Sequence, residues 1–145
     1  LSGDKAKSIV ASFPFDGAMC SNTIGFAGGI WLLWRSDLVQ VEVLSTTEWE
    51  IHALIRASSH PFYWILSAIY ANPRLCEGLV LWDNLKLLAS LHNFPWALMG
   101  DFNKVVNEHQ KFGGNPVSQR RIRPYVDCMN FCGMLDLGFF GLNYT

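Results

Sequence analysis

The sequence predicts a mixed α/β (α+β) fold in which helices cover the faces of mostly antiparallel sheets. Three strand-like runs follow one another with only short polar breaks, and a fourth comes after a long helical pattern. Half of the 145 residues are hydrophobic, 14% are aromatic and 16% are charged, a composition typical of globular proteins. We therefore expect residues 1–145 to form one domain with a substantial core.

Charge and cysteine content narrow the possible function classes. The formal net charge is −1, so binding to nucleic acid would have to depend on a local basic patch. No apolar run approaches the roughly 18 residues that span a bilayer, and we expect no membrane partner. The spacing of the four cysteines does not match a zinc site, so Cys128 and Cys132 are expected to be small core residues.

The first predicted elements are a short helix and a glycine-containing strand. Apolar residues in 2–13 recur at i, i+3, i+4 and i+7, which predicts a helix that Pro14 should end. Residues 25–34 are rich in residues that favour strands. Their paired glycines, Gly28 and Gly29, indicate a bulge or a close backbone approach at the start of that strand.

The three runs that follow have the pattern of an antiparallel meander. Residues 38–43 and 48–57 alternate between apolar and more polar positions, as half-buried strands do. Residues 62–71 are apolar on both faces, which predicts a central strand that is covered on both sides. The polar breaks between the runs are short enough for hairpin turns.

Helical and strand patterns alternate in the second half. Asn72 and Pro73 open a long helix. Its predicted buried stripe is Leu75, Leu79, Trp82, Leu85 and Ala89. A strand over 95–99 and a turn-rich loop over 107–118 come next. The last helix should become regular only from Pro124 and end at Gly133, and residues 134–139 then predict a short strand. The apolar face of that helix comprises Ile122, Tyr125, Val126 and Met129.

Polar residues end the strand that contains 95–99. If the strand continues, Asp101 and Asn103 project from one face, with Phe102 on the other, and Gly100 admits a close neighbour. A carboxylate beside an amide suits phosphate-ester hydrolysis, because the acid can take a proton from water or position Mg²⁺ while the amide holds an oxygen. The alternative is an ordinary turn, where Asp and Asn are common.

Two further candidate spots have polar or basic residues. Tyr70 lies near the end of a strand that could neighbour the first, and its phenol could donate a hydrogen bond to a phosphate oxygen. The alternative is a tyrosine whose ring is in the core and whose hydroxyl is in water. Arg120, Arg121 and Arg123 form the only basic cluster and could contact DNA phosphates, or they could simply be a solvated helix start. The histidines are scattered and receive no role.

Several segments together resemble a known family. "GGIWLLW", "SAIYANP", "PWALMGDFN", "KFGGNPVS" and "CGMLDLGFFGLNYT" occur in an order similar to that of the endonuclease/exonuclease/phosphatase superfamily. The likeness is greatest to the endonuclease domain of plant LINE-type (non-LTR) retrotransposons, and it extends along nearly the whole chain.

The resemblance implies a fold, a reaction and site residues. The fold would be a four-layer α-β-β-α sandwich of two mostly antiparallel sheets, and the reaction would be Mg²⁺- or Mn²⁺-dependent cleavage of DNA phosphodiesters. Asp101 resembles the aspartate that activates the attacking water, and Asn103 resembles the asparagine that holds the nucleophile and a phosphate oxygen. Tyr70 resembles the tyrosine that contacts the scissile phosphate. A reverse transcriptase domain in the parent polyprotein and a nuclear location are also implied.

The resemblance also implies groups that this sequence lacks. The family's principal metal-binding Glu would precede Leu1, and its closing Asp-His pair would follow Thr145, so the metal ligands within the chain are unknown. We therefore expect a fragment, truncated at both ends of the sandwich and inactive as this piece. The alternatives are a phosphomonoesterase on the same scaffold and a non-catalytic retroelement relic.

Overall fold

The computed structural model describes residues 8–21, 23–24, 27–72, 75–103 and 119–138. It confirms the predicted class, because these residues form a mixed α/β fold consistent with an α+β sandwich. The chain divides into two compact units. The first comprises Leu1–Asn72 with Phe94–Phe102, and the second comprises Pro73–Asn93 with Asn103–Thr145.

The amino-terminal part of the first unit is built from short strands. Strand β1 (Gly17–Cys20) pairs antiparallel with β4 (Trp31–Trp34), and β2 (Thr23–Ile24) pairs antiparallel with β3 (Ala27–Gly28). Gly29 has a φ of 89°, so the strand predicted over 25–34 is interrupted at the glycine pair that the sequence singled out.

The predicted first helix ends earlier than its apolar spacing indicates. Residues 8–10 are helical and residues 11–14 form turns and bends, so the helix does not extend to Phe13. The Ser12 hydroxyl donates a hydrogen bond to the Ile9 carbonyl at 2.6 Å. A serine that bonds to the preceding turn in this way competes with helix continuation. Residues 1–7 lie outside the described part.

A four-stranded sheet forms the centre of the first unit. Its order is β5 (Val39–Thr46), β6 (Glu50–Ala57), β7 (Tyr63–Tyr70) and β8 (Trp96–Asp101). Strands β5, β6 and β7 pair antiparallel in sequence, as predicted, and β8 runs parallel to β7. Strand β7 lies between two others and is largely buried, which confirms the prediction of a central strand.

Both faces of β6 are buried, which its alternating sequence did not predict. Ile51, Ala53 and Ile55 are at most 4% exposed, as expected for the apolar face. Glu50 and His52, on the opposite face, are only 2% and 3% exposed. The first half of this polar face is therefore part of the interior, whereas Leu54 and Arg56 on the same face are half-buried.

Helix α1 (Leu75–Leu91) belongs to the second unit and buries a stripe that shares Trp82 and Leu85 with the predicted one. Among the side chains of this helix that the structure describes, the buried hydrophobic ones are Leu81, Trp82, Leu85 and Leu88. Leu79, predicted to be inside, is 41% exposed. Apolar residues of this helix lie on all of its sides, so their spacing alone could not identify the face that is buried. Within the described part of the chain, no helix combines the length and apolarity that crossing a bilayer requires.

Helix α2 (Gln119–Phe131) begins before Pro124, where the sequence predicted its regular part to start. The proline removes one backbone donor without ending the helix. Gly133 ends it as predicted, with a φ of 64°. The Met134 N–H donates to the Met129 carbonyl at 2.9 Å and the Gly133 N–H to the Asn130 carbonyl at 3.1 Å, which is a Schellman motif.

The strand predicted over 134–139 is absent from the described residues 134–138. Leu135 and Leu137 are 85% and 97% exposed. The Asp136 carboxylate accepts a hydrogen bond from the Gly138 N–H at 2.8 Å. A local turn of this kind satisfies backbone groups that a strand would need to pair with a neighbour.

Cys128 is a core residue, as predicted. It is fully buried, its thiol donates to the Trp82 carbonyl at 3.3 Å, and the Trp82 ring meets Tyr125 edge-on at 5.4 Å. Burial raises the pKa of the Cys128 thiol to about 12. The Cys132 sulfur lies 4.0 Å from that of Cys128.

This burial predicts a large difference between cysteines in reactivity at pH 8. At pH 8, a pKa of about 12 means that about one Cys128 thiol in ten thousand is ionised to the nucleophilic thiolate. Cys20, in contrast, is exposed to solvent. We expect iodoacetamide to alkylate Cys20 at least about a hundredfold faster than Cys128. Peptide mass mapping after timed quenching measures both rates. The two rates should converge in denaturant, and equal rates in the folded chain would contradict this assignment.

Candidate functional site

Tyr70 and Asp101 stand directly opposite each other at the ends of β7 and β8. The parallel register pairs Ser67 with Leu98 and Tyr70 with Asp101. Just beyond the pair, the Ala71 N–H donates to the Asp101 carbonyl at 2.8 Å. Adjacent strands lie about 4.8 Å apart, and paired residues point to the same face. The structure therefore brings together two of the three residues that the sequence proposed as catalytic.

Gly100 allows the two strands to approach at this point. Its φ is 136°, and a Cβ atom placed on it would lie 1.9 Å from the Ile69 carbonyl oxygen. Any side chain would therefore collide with the backbone of β7. The prediction that Gly100 admits a close neighbour is confirmed, and that neighbour is backbone.

The Tyr70 ring is held by an aromatic neighbour. It stacks on Trp49 with ring centroids 6.1 Å apart and planes inclined by 20°. The Tyr70 N–H also donates to the Trp49 carbonyl at 2.8 Å. Tyr70 is half-buried and Asp101 is exposed, so the carboxylate is accessible to solvent and to a ligand.

Asn103 is not part of the strand. Strand β8 ends at Asp101, and Asn103 has a left-handed backbone with a φ of 46°. The premise that strand alternation aligns Asp101 with Asn103 is therefore wrong. Asparagine tolerates this conformation better than most residues, which favours a turn at this position. Asn103 is exposed and falls in the second unit, and its role at the site stays a prediction.

The described arginines of the basic cluster are exposed on α2. Arg120 and Arg123 line a surface cavity of about 640 Å³ together with Ile122 and Val126. The Arg123 side chain is 83% exposed, and its Nε lies 3.8 Å from the Asp127 carboxylate. The side chain of Arg121 lies outside the described residues. Both described guanidinium groups are accessible to an anion, and their contact with DNA stays a prediction.

A buried polar cluster was missed by sequence reasoning, which left the histidines unassigned. His52 Nδ1 lies 2.6 Å from Ser67 Oγ, and Trp96 Nε1 donates to the same oxygen at 2.9 Å. His52 Nε2 lies 3.1 Å from Glu50 Oε2. The available signal was the hairpin register, which places His52 directly opposite Ser67 on β7.

Asp101 is the described residue of the site whose chemistry fits a magnesium ion. Mg²⁺ prefers oxygen ligands and is often held by one or two carboxylates together with substrate phosphate. Glu50 is buried beside His52 and is not accessible in this way. Among the residues that the structure describes, no three His, Cys, Asp or Glu side chains cluster around a possible metal position. Asp101 can thus supply one ligand.

Comparisons with protein-family models, with curated proteins and with solved structures found no match for this chain. The candidate site therefore depends on its own geometry, above all on the pairing of Tyr70 with Asp101.

Proposed function

We propose that these 145 residues are part of a Mg²⁺- or Mn²⁺-dependent phosphodiesterase domain of the retroelement endonuclease type, which cleaves DNA. The observation that supports the proposal best is the pairing of Tyr70 with Asp101 on the same face of adjacent strand ends. A phenol and a carboxylate in this arrangement can contact one phosphate group together. The resemblance of the surrounding motifs adds the reaction class.

Each residue would have a separate task. The Asp101 carboxylate would accept a proton from the attacking water or hold the metal ion through one oxygen. The Tyr70 hydroxyl, on a ring fixed by Trp49, would donate a hydrogen bond to a phosphate oxygen. The Asn103 amide would orient the nucleophile. When bound, the metal would act as a Lewis acid that stabilises negative charge on the phosphate.

The exposed arginines would add affinity without sequence preference. Arg120, Arg121 and Arg123 would pair with backbone phosphates, so DNA binding should weaken as salt increases. The reverse transcriptase domain and the nuclear location implied by the resemblance are part of the same proposal.

The metal-dependent gain in DNA affinity tests the proposal. Fluorescence anisotropy with a labelled duplex would give Kd in Mg²⁺ and in EDTA, and we expect the native sequence to bind on the order of tenfold more tightly in Mg²⁺. Asp101→Asn should abolish this gain. Asp83→Asn should preserve it, because Asp83 is a carboxylate that is 77% exposed on α1 and has no part in the proposed site.

Three results of this experiment bear on the assignment. A gain that survives in Asp101→Asn would contradict the role of that carboxylate. Mg²⁺-dependent binding of a nucleoside monophosphate but not of the duplex would overturn the DNA proposal in favour of a phosphomonoesterase. Nicking of supercoiled plasmid by the 145-residue chain should stay at background, because the family's Glu and Asp-His pair are not among these residues.

A further inference from the structure

A polar chain inside the first unit connects three adjacent strands. Ser67 of β7 contacts His52 of β6 at 2.6 Å and the Trp96 indole of β8 at 2.9 Å. Ser67 is completely buried, and His52 is 3% exposed. Because buried polar groups are costly unless they are hydrogen-bonded, the Ser67 hydroxyl must place its proton on a partner within this cluster. His52 Nε2 and Glu50 Oε2 lie 3.1 Å apart without a hydrogen bond of good geometry.

The fixed donor at Trp96 and the burial of Ser67 together give a direction to both hydrogen bonds of Ser67. An indole N–H can only donate, so Ser67 Oγ accepts from Trp96. The Ser67 hydroxyl proton then needs an acceptor away from water, and His52 Nδ1 is the acceptor at 2.6 Å. His52 Nδ1 therefore carries no proton. This assigns the imidazole proton to Nε2, which lies 3.1 Å from Glu50 Oε2.

These hydrogen bonds join β7 and β8, the two strands that carry the candidate site. Ser67 is three residues before Tyr70 on β7, and Trp96 is five residues before Asp101 on β8. A slip of one residue between these strands would move the Asp101 side chain to the opposite face of the sheet. The Ser67 hydroxyl accepts a hydrogen bond from Trp96 on β8 and donates one to His52 on β6, and these bonds oppose such a slip.

We infer that Ser67 is a positioning residue, and that the one-way chain from Trp96 through Ser67 to His52 sets the register that places Asp101 opposite Tyr70. The inference rests on the proposed function, since it assigns Ser67 a part in the same site. It also makes a separate claim, the Nε2–H tautomer of His52, that does not depend on DNA.

The tautomer is tested first, on the unmodified chain labelled with ¹⁵N. Long-range ¹H–¹⁵N spectra at pH 7.5 should show His52 as the Nε2–H form, and the Trp96 indole N–H should exchange slowly with solvent. Trp96→Phe removes the fixed donor and should allow both tautomers. An Nδ1–H or doubly protonated His52 in the unmodified chain would overturn the inference.

The positioning role is tested by the Mg²⁺-dependent gain in duplex affinity, measured where each variant is fully folded by circular dichroism. We expect Ser67→Ala and Trp96→Phe each to reduce this gain at least threefold. Ile65→Val is the matched control, because Ile65 is 1% exposed on the same strand and its truncation weakens packing without removing a hydrogen bond.

The outcomes separate this inference from the proposed function. An unchanged gain in both Ser67→Ala and Trp96→Phe, or an equal loss in Ile65→Val, would overturn the positioning role while the nuclease proposal stands. Should the unmodified chain show no Mg²⁺-dependent gain, the proposed function and the positioning role both fail. The ¹⁵N spectrum of His52 would still decide whether the hydrogen bonds run from Trp96 through Ser67 to His52.

Discussion

Gly100→Ala is expected to lower the free energy of unfolding by about 3 kcal/mol or more, enough to prevent stable folding of a marginal domain. The new Cβ would lie 1.9 Å from the Ile69 carbonyl oxygen and 2.9 Å from the Ile69 carbonyl carbon. Both atoms belong to the backbone of the central strand β7, which cannot move without breaking its pairing with β6. The φ of 136° adds backbone strain for any residue with a side chain.

Gly138→Ala is the matched control for this prediction. Gly138 also has a positive φ, 72°, but a Cβ there would meet no atom of the described residues within 4 Å. This variant should lose only the cost of a left-handed alanine, about 1 kcal/mol. Urea unfolding followed by tryptophan fluorescence measures both changes. Equal losses would show that conformation alone, and not the collision with Ile69, makes glycine necessary at position 100.

The same glycine shows what the local sequence could predict about the site. An apolar run that ends in Gly100 and Asp101 indicates a strand whose last residues meet another backbone, and the structure has that arrangement. The meander over β5 to β7 and the helix end at Gly133 were predictable for a similar reason. Each depends on residues close in sequence, namely alternation, short polar breaks and a glycine with positive φ.

Features that depend on residues distant in sequence could not be predicted in this way. The alternation in β6 predicts an apolar face and a more polar one, yet Glu50 and His52 are buried. His52 gains its partner Ser67 from β7, and that serine gains the Trp96 indole from β8, only after the sheet has formed. The pairing of Tyr70 with Asp101 likewise requires the parallel register, which neither strand specifies alone.

The structure also differs from the sequence predictions at both ends of the last helix. Pro124 favours a late helix start, yet α2 begins at Gln119 and contains the proline as its sixth residue. The apolar residues after Gly133 resemble a strand, but the Asp136 side chain bonds to the Gly138 N–H and Leu137 is 97% exposed.

Leu85→Ala should lower the free energy of unfolding of the second unit by about 3 kcal/mol, whereas Leu87→Ala should change it by about 0.5 kcal/mol or less. The two leucines are two residues apart on α1 and are identical in chemistry and helix propensity. Leu85 is fully buried, so its truncation leaves a cavity, while Leu87 is 59% exposed.

Because both variants remove the same side chain from the same helix, the difference between their free energies of unfolding measures the effect of burial alone. The hydrophobic pattern of the sequence does not reveal which leucine is buried. Apolar residues lie on all sides of α1, so the hydrophobic pattern is compatible with more than one buried face. Urea unfolding of both variants, followed by far-ultraviolet circular dichroism, measures the difference directly. If Leu87→Ala costs as much as Leu85→Ala, the face of α1 that bears Leu87 is also packed against a partner in solution. The buried stripe of Leu81, Trp82, Leu85 and Leu88 would then account for only part of the stability of this helix.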